Sequence, residues 1–286
     1  MVQGVWRDIP RDFKSTGGAF VRPDTAFRES VSLADAEPGR YRLYVSRACP
    51  WAHRTLIVRA FARLEKRLPV FHADPYMAEN GWEFGAGGVR YLHELYAKAK
   101  PDYTGRVSVP ALWDEQAQRI VNNESSEIIR MMGADLYPEK LRKEIDAVNA
   151  RVYQSVNNGV YRAGFATAQD KYEQAVAELF ATLDWLEKRL AKRRWLCGAK
   201  LTEADVRLFT TLIRFDAVYY SHFKCNLRRL TDYPRLWRYT RRFYALPGVA
   251  RTVDLAEIKS HYYRSQKQVN PTQIVPKGPA LDLRLR

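Results

Sequence analysis

The sequence predicts an α+β protein in which a mixed N-terminal domain is followed by an all-helical one. Strands and helices alternate in the first half, whereas after Pro138 amphipathic helical stripes replace convincing strands. The first half has the order β-α-β-α-β-β-α, which is that of a thioredoxin-like domain. We therefore expect a thioredoxin-like domain with an N-terminal extension over residues 1–135. An all-helical domain with a C-terminal arm is expected over residues 136–286.

Local patterns predict each element of the first half. Tyr41–Ser46 is a short apolar-rich run after Pro38–Gly39, which is typical of a strand. Ala52–Arg67 carries apolar residues at helical spacing. Gly81–Gly88 is rich in glycine and is predicted to be a loop. Shorter runs predict strands at Val70–Ala73, Val107–Trp113 and Arg119–Asn122, and helices at Val89–Lys100 and Ser125–Met132.

Four amphipathic stripes predict the helices of the second half. One stripe has apolar residues at steps of three and four between Leu141 and Val156, which places them on one helix face. The others lie over residues 172–190, 202–215 and 235–246. Thr202 and Asp205 form a capping-box pattern at the start of the third. After Val269 the spacing of prolines predicts an irregular arm.

Composition excludes several classes of protein. The 286 residues are 46% apolar, yet they contain neither an apolar run of membrane-spanning length nor the apolar block of a secretory signal. Three widely spaced cysteines do not make a disulfide framework, so we expect a cytoplasmic protein. The net charge of +15 is compatible with nucleic-acid binding, but its scattered clusters favour a solvated helical surface. The histidines lack metal-ligand spacing, so no metal is expected.

Cys49 is the residue most indicative of chemistry. It follows a predicted strand and precedes Pro50, which is favoured in the first turn of a helix. A thiol at a helix N-terminus has a lowered pKa and is partly ionised at neutral pH. An inert buried cysteine is the alternative, and the strand–Cys–Pro–helix context argues against it. Arg47 or Arg54 would stabilise the thiolate further if the guanidinium group lay close to the sulfur, and the sequence does not define that distance.

The position of a second thiol decides what Cys49 can do. In a C-x-x-C enzyme a cysteine would stand at Ala52, so here an external thiol must resolve a mixed disulfide with Cys49. Glutathione is the abundant cytoplasmic thiol. Cys197 and Cys225 lack a comparable context, and we interpret them as a packed helix-end residue and a loop residue.

Two further patterns are compatible with a glutathione site. Val109–Pro110 is adjacent to a predicted strand, where a cis proline and an exposed edge would hold an extended tripeptide; an ordinary edge proline is the alternative. Glu124-Ser125 precedes a predicted helix, where it would cap the helix or bind the charged ends of glutathione. Capping and binding are compatible, so both stay open.

Taken together, these motifs resemble a cysteine-type glutathione transferase. Longer blocks narrow the resemblance to the glutathionyl-hydroquinone reductases, or xi-class glutathione transferases. It covers about Arg42 to Gly278, with short loops at Gly85–Gly88 and Gly133–Pro138 as departures. The blocks are Asn80–Phe84, Arg106–Pro110, Asn157–Ala166, Arg214–Asp216, His222–Cys225, His261–Tyr263 and Asn270–Pro271.

The resemblance implies a glutathione transferase fold, a homodimer, and the cleavage of glutathionyl-hydroquinones by a second glutathione. It implies that Cys49 is the nucleophile and Tyr161 the general acid–base residue, with Tyr219 and Tyr262 near the thiol and substrate. It also implies a set of glutathione-binding residues, namely Trp82, Arg106, Val107, Ser108, Val109, Glu124 and Ser125.

Other functions share part of this pattern. An omega-like thioltransferase or dehydroascorbate reductase would need Cys49 but not the tyrosines. A reductive dehalogenase would use related thiol chemistry but would not account for the C-terminal blocks. A non-catalytic binding module of the same fold would tolerate loss of Cys49.

Overall fold

The computed structural model describes residues 1–8 and 16–285. Clustering of contacts divides these residues into two compact units. The first unit contains residues 1–8, 23–134 and 251–261, and the second contains 16–22, 135–250 and 262–285. These units differ from the predicted domains in two segments, 16–22 and 251–261, whose long-range contacts leave no local pattern in the sequence.

The first unit contains a four-stranded mixed sheet. Its strands are β1 (Tyr41–Val45), β2 (Val70–His72), β3 (Ala111–Asp114) and β4 (Arg119–Asn122), in the spatial order β2-β1-β3-β4. β1 pairs in parallel with β2 and antiparallel with β3, and β3 pairs antiparallel with β4. The helices are α1 (Pro50–Phe61), α2 (Leu92–Ala99) and α3 (Ser125–Met131). The predicted order of elements is confirmed.

Two predicted boundaries in this unit are wrong. α1 ends at Phe61 instead of continuing to Arg67, and Arg63 has a positive φ of 56°, which a helix does not accommodate. β3 begins at Ala111 instead of Val107, because Pro110 has no N–H to donate to a neighbouring strand. Residues 107–110 therefore lie outside the sheet.

The second unit is built from helices, as predicted. α4 (Arg142–Val152) continues into a π-helical turn, Tyr153–Asn157, and is followed by α5 (Gly159–Gly164). α6 (Gln169–Arg189), α7 (Glu203–Leu212) and α8 (Pro234–Tyr244) match the other stripes, and a second π-helical turn, Phe215–Tyr219, follows α7. α5 and α9 (Leu255–Ser265) were not predicted. The division between the units falls within α9, after His261.

Asp205 is a buried carboxylate in the second unit that accepts several hydrogen bonds. Thr202 and Asp205 form the predicted capping box at the start of α7. The fully buried Asp205 carboxylate accepts hydrogen bonds from the backbone N–H groups of Leu196 (2.8 Å) and Thr202 (2.9 Å). It also accepts from the hydroxyls of Thr202 (3.0 Å) and Tyr239 (3.0 Å). Burial nevertheless raises the pKa of Asp205 to about 6.

In residues 1–8 and 16–285, the helices are too short or too polar to cross a bilayer.

Candidate active site

Cys49 occupies the N-cap position of α1, directly before Pro50. The backbone N–H of Cys49 donates to the carbonyl of Ser46 (3.1 Å), which turns the chain between β1 and α1. Cys49 is partly exposed, and its thiol donates to the carbonyl of Val109 at 3.6 Å. The Val109–Pro110 peptide bond is cis, as predicted. The sulfur thus lies at a helix start and next to the segment before Pro110.

Arg47 and Arg54, the two arginines closest to Cys49 in the sequence, contact Glu257 and Ser125 respectively. Arg47 forms an ion pair with Glu257 at 2.9 Å. Arg54 is buried, its guanidinium lies 4.4 Å from the centre of a ring of Trp51, and it donates to Ser125 Oγ at 3.3 Å. Arg54 therefore connects the helix that begins at Cys49 to the start of α3.

The other two cysteines are buried in the second unit. Burial raises the pKa of Cys197 to about 11 and raises the pKa of Cys225 further. All three cysteines lie in the described part of the chain, and none forms a disulfide. Cys197 and Cys225 therefore form less thiolate at neutral pH than an ordinary cysteine, and the thiolate is the nucleophilic form.

Tyr96 fixes the segment before Pro110. Its hydroxyl donates to the carbonyl of Ser108 (2.8 Å) and accepts from the N–H of Ser108 (3.2 Å) and the side-chain amide of Asn123 (2.9 Å). Val109 is buried, Val107 and Ser108 are partly exposed, and Arg106 is exposed. Sequence reasoning did not identify Tyr96, because its partners lie on separate elements.

Glu124 and Ser125 begin α3. Glu124 is the N-cap, and its carboxylate accepts from the N–H of Ser126 (3.0 Å) and from the Ser126 hydroxyl (2.8 Å). Ser125 is buried and receives the hydrogen bond from Arg54. The structure thus shows that Glu124 caps α3. Capping by Glu124 is compatible with a role of Glu124 and Ser125 in binding a ligand.

Trp82 lies in the glycine-rich loop between β2 and α2. Its carbonyl accepts from the backbone N–H of Leu92 (2.9 Å), and its partly exposed indole stacks on His261 with ring centres 4.9 Å apart. His261 belongs to a block quoted for the family resemblance, but local patterns gave no indication that it contacts Trp82.

Three tyrosines meet inside the second unit. The hydroxyls of Tyr161 and Tyr262 lie 2.5 Å apart, and those of Tyr219 and Tyr262 lie 3.1 Å apart. Phe223 packs against the rings of all three. Burial, followed by the neighbouring Tyr161, raises the pKa values of Tyr219 and Tyr262 well above the ordinary value. Both phenols are therefore protonated at neutral pH and able to donate.

Arg22 lies against this tyrosine cluster. Its guanidinium is 4.9 Å from the ring centre of Tyr161, and its Nε donates to the side-chain oxygen of Asn158 at 3.0 Å. Asn158 belongs to a family block, whereas Arg22 lies in no motif. Arg22 and Tyr161 are far apart in the sequence, and no local pattern predicted that they are in contact.

The predicted site residues fall into two groups. The first unit brings Cys49 next to Val109 and connects Ser125 to the helix of Cys49; Trp82, Arg106, Val107, Ser108 and Glu124 also belong to this unit. The second unit brings Tyr161, Tyr219 and Tyr262 together. Within the described residues, His, Cys, Asp and Glu side chains do not form a group able to hold a metal ion.

Comparison with known proteins identifies the class. Residues 48–135 match the glutathione S-transferase N-terminal domain family, and residues 169–242 match the C-terminal domain family. With a thioredoxin-like unit that carries an N-cap thiol, these matches define a glutathione transferase.

Individual relatives narrow the class. A glutathionyl-hydroquinone reductase of Sphingobium chlorophenolicum is 52% identical, over 99% of this chain and 97% of the relative. The crystal structure of a xi glutathione S-transferase from Phanerochaete chrysosporium has a TM-score of 0.89 at 47% identity, covering 92% of this chain and 94% of that one. A glutathione-bound transferase homologue from Escherichia coli K-12 has a TM-score of 0.90 at 44% identity, covering 99% and 96%. The chain belongs to the xi class of glutathione transferases, the group of the glutathionyl-hydroquinone reductases.

Proposed function

We propose that this protein reduces glutathionyl-hydroquinones to hydroquinones, with glutathione as co-substrate. The observation that carries the proposal is Cys49 as the N-cap of α1, because a helix start favours the thiolate that the reaction needs. The name of the Sphingobium chlorophenolicum relative and the glutathione-bound homologue support this substrate class.

The reaction has two steps. The Cys49 thiolate attacks the sulfur of the conjugate, an S–S bond forms to glutathione, and the bond between that sulfur and the aromatic carbon breaks. The carbon keeps the electron pair and takes up a proton, which gives the hydroquinone. A glutathione thiolate then attacks the mixed disulfide and releases oxidised glutathione and the Cys49 thiolate. Two sulfurs are oxidised to a disulfide, and the aromatic carbon is reduced by two electrons.

We assign the proton transfer to the tyrosine cluster, with Tyr161 as the general acid–base residue. The cluster supports this assignment because the hydroxyl of Tyr262 lies within hydrogen-bonding distance of both Tyr161 and Tyr219. Burial raises the pKa values of Tyr219 and Tyr262, so these two phenols stay protonated beside Tyr161. Tyr219 and Tyr262 are proposed to orient Tyr161 and the substrate.

Glutathione binding is assigned to residues of the first unit. Val109 would pair its backbone with the cysteine portion of glutathione, because the Val109 carbonyl lies 3.6 Å from the Cys49 sulfur that reacts. Glu124 and Ser125 at the start of α3 would hold one charged end of the tripeptide. Trp82, Arg106, Val107 and Ser108 complete the proposed set. Glutathione is a co-substrate, because one glutathione is consumed and oxidised glutathione is released in each turnover.

Location and assembly follow from the same proposal. A cytoplasmic location is supported by the lack of a disulfide among the three cysteines of the described residues.

A homodimer is supported by the family resemblance. Light scattering coupled to size-exclusion chromatography measures the mass directly, and a mass close to a single 33.2 kDa chain would exclude the dimer.

Turnover of a panel of glutathionyl-hydroquinones with glutathione tests the function. We expect hydroquinone and oxidised glutathione in equal amounts. Preferred reduction of dehydroascorbate or of mixed disulfides would instead establish an omega-like thioltransferase. Binding of glutathione without turnover of any of these substrates would establish a non-catalytic module.

A further inference from the structure

The loop that carries Trp82 is supported by a residue far along the chain. Trp82 and His261 stack with ring centres 4.9 Å apart and an angle of 19° between the planes. Such parallel stacking restrains an aromatic side chain in both position and tilt. The contact lies entirely within the first unit, because residues 251–261 belong to it.

His261 is itself held in a defined orientation. It is 6% exposed, and its Nδ1 lies 2.9 Å from the carbonyl oxygen of Pro75. A carbonyl oxygen only accepts, so Nδ1 carries the proton in this contact. The imidazole is therefore fixed at one edge by a hydrogen bond, and it offers its face to Trp82.

The segment around His261 is anchored close to Cys49 in the sequence. Glu257 pairs with Arg47 at 2.9 Å, two residues before the thiol. Thr252 Oγ1 lies 2.8 Å from Nε2 of the buried His53, four residues after it. Residues 251–261 are thus fixed to the start of α1 by two side-chain contacts, independently of the stack on Trp82.

A second aromatic residue supports the loop directly before Trp82. Trp6 donates from Nε1 to the carbonyl of Glu79 at 2.9 Å and stacks on His93 with ring centres 5.0 Å apart. Gly81 has a φ of +77°, and a Cβ there would lie 2.9 Å from a ring carbon of Trp6. The loop therefore packs on Trp6 through Gly81 and on His261 through Trp82.

We propose that His261 is a positioning residue for glutathione binding, acting through the ring of Trp82. This inference rests on the proposed function, in which Trp82 contacts glutathione. His261 does not take part in the chemistry. Its ring keeps the indole in the orientation that the tripeptide meets, so that less ordering is required when glutathione binds. Loss of the ring is therefore expected to weaken glutathione binding and to leave the chemical step intact.

Two substitutions separate the ring from the hydrogen bond. His261→Asn keeps a donor close to the position of Nδ1 but removes the ring. His261→Phe keeps a ring for stacking but removes the donor. We expect His261→Asn to raise the Kd for glutathione about threefold to tenfold, the size of one aromatic pair interaction, and His261→Phe to change it less than twofold. Isothermal titration calorimetry with reduced glutathione measures both.

Steady-state kinetics provide the second readout. The KM for glutathione should rise in His261→Asn while kcat at saturating glutathione stays within about twofold of the unsubstituted enzyme. His261→Leu, which makes the buried position apolar, is a second ringless variant for the case that His261→Asn does not fold, and it should show the same rise. An unchanged Kd in a folded ringless variant, or an equal loss in His261→Phe, would overturn the proposal.

This experiment distinguishes the inference from the proposed function. Calorimetry reports glutathione binding whether or not any quinol conjugate is turned over. If the unsubstituted protein binds glutathione without turnover, the proposed function fails while the role of His261 is still measured. If turnover is normal and the ringless variants bind glutathione normally, only the inference fails.

Discussion

The hydroxyl oxygens of Tyr161 and Tyr262 lie 2.5 Å apart in the interior of the helical unit. One of the two must donate and the other accept, and the hydroxyl of Tyr219 is a further partner of Tyr262 at 3.1 Å. Loss of a proton from one member would leave a charge that the others stabilise by donating. A cluster of this kind suits the release and recovery of a single proton.

Replacing Tyr161 with Phe should slow release of the hydroquinone. General acids contribute about 10²- to 10⁴-fold, so we expect kcat to fall by roughly a hundredfold or more. The Kd for glutathione should not change, because the proposed glutathione residues lie in the first unit. Steady-state kinetics and calorimetry measure the two quantities.

Tyr153→Phe is the matched control, because Tyr153 is 40% exposed. It should retain the activity of the unsubstituted enzyme. A Tyr161→Phe enzyme with normal kcat would remove the acid–base role from this residue.

Cys49 should be the thiol that alkylating reagents modify first. Iodoacetamide reacts with accessible thiolates, and Cys49 is partly exposed at a helix start, whereas Cys197 and Cys225 are buried with raised pKa values. At neutral pH we expect a single modification in the folded protein, mapped to Cys49 by peptide mass spectrometry. Modification of Cys197 or Cys225 before Cys49 would contradict this expectation.

Cys49→Ser should abolish turnover while the fold survives, because the N-cap position accepts serine readily. Incubation with a glutathionyl-hydroquinone should add one glutathione to the unsubstituted protein and none to the variant. Cys197→Ala serves as the comparison for loss of a different thiol. Residual turnover in Cys49→Ser close to that of the unsubstituted enzyme would refute the mechanism.

Asp205→Ala should destabilise the helical unit by roughly 2–4 kcal/mol, because it removes the Asp205 half of the capping box of α7 and leaves buried donors unsatisfied. The donors are the N–H groups of Leu196 and Thr202 and the hydroxyls of Thr202 and Tyr239. Urea unfolding followed by circular dichroism gives the free energy of unfolding. A change below about 0.5 kcal/mol, the range of ordinary surface substitutions, would show that the network contributes little.

The same carboxyl should make stability depend on pH. Burial raises the pKa of Asp205 from 3.8 to about 6, so the folded state binds the proton more tightly than the unfolded state. This contribution to stability is complete below the unfolded value and is lost as the pH rises through about 6. We therefore expect the free energy of unfolding, relative to an Asp205→Asn variant, to fall between pH 4 and pH 6. A difference that is constant over this range would contradict the raised pKa.

Local sequence patterns predicted the elements whose stability is local. Cys49 followed by Pro50 marked the start of α1, and Thr202 with Asp205 marked the start of α7, because capping depends on residues within one turn. The end of α1 was placed six residues too far, since the apolar spacing continues past Phe61 although the backbone turns at Arg63. Periodicity reports which face is apolar, and it does not report where the backbone leaves the helix.

Contacts between distant parts of the chain were beyond such patterns. The stack of Trp82 on His261 and the cation–π contact of Arg22 with Tyr161 join residues more than a hundred positions apart. The three tyrosines were named from the family resemblance, because nothing in their spacing brings Tyr161, Tyr219 and Tyr262 together. Only the folded chain defines these relationships.

The membership of residues 251–261 in the first unit has a consequence for biosynthesis. A ribosome delivers residues 23–134 first, but Thr252, Glu257 and His261 emerge more than a hundred residues later. Until then Arg47, His53 and Trp82 lack these partners on the nascent chain. The first unit is therefore completed only after residues 135–250 of the second unit have been synthesised, and a fragment that stops at residue 135 would lack part of its own packing.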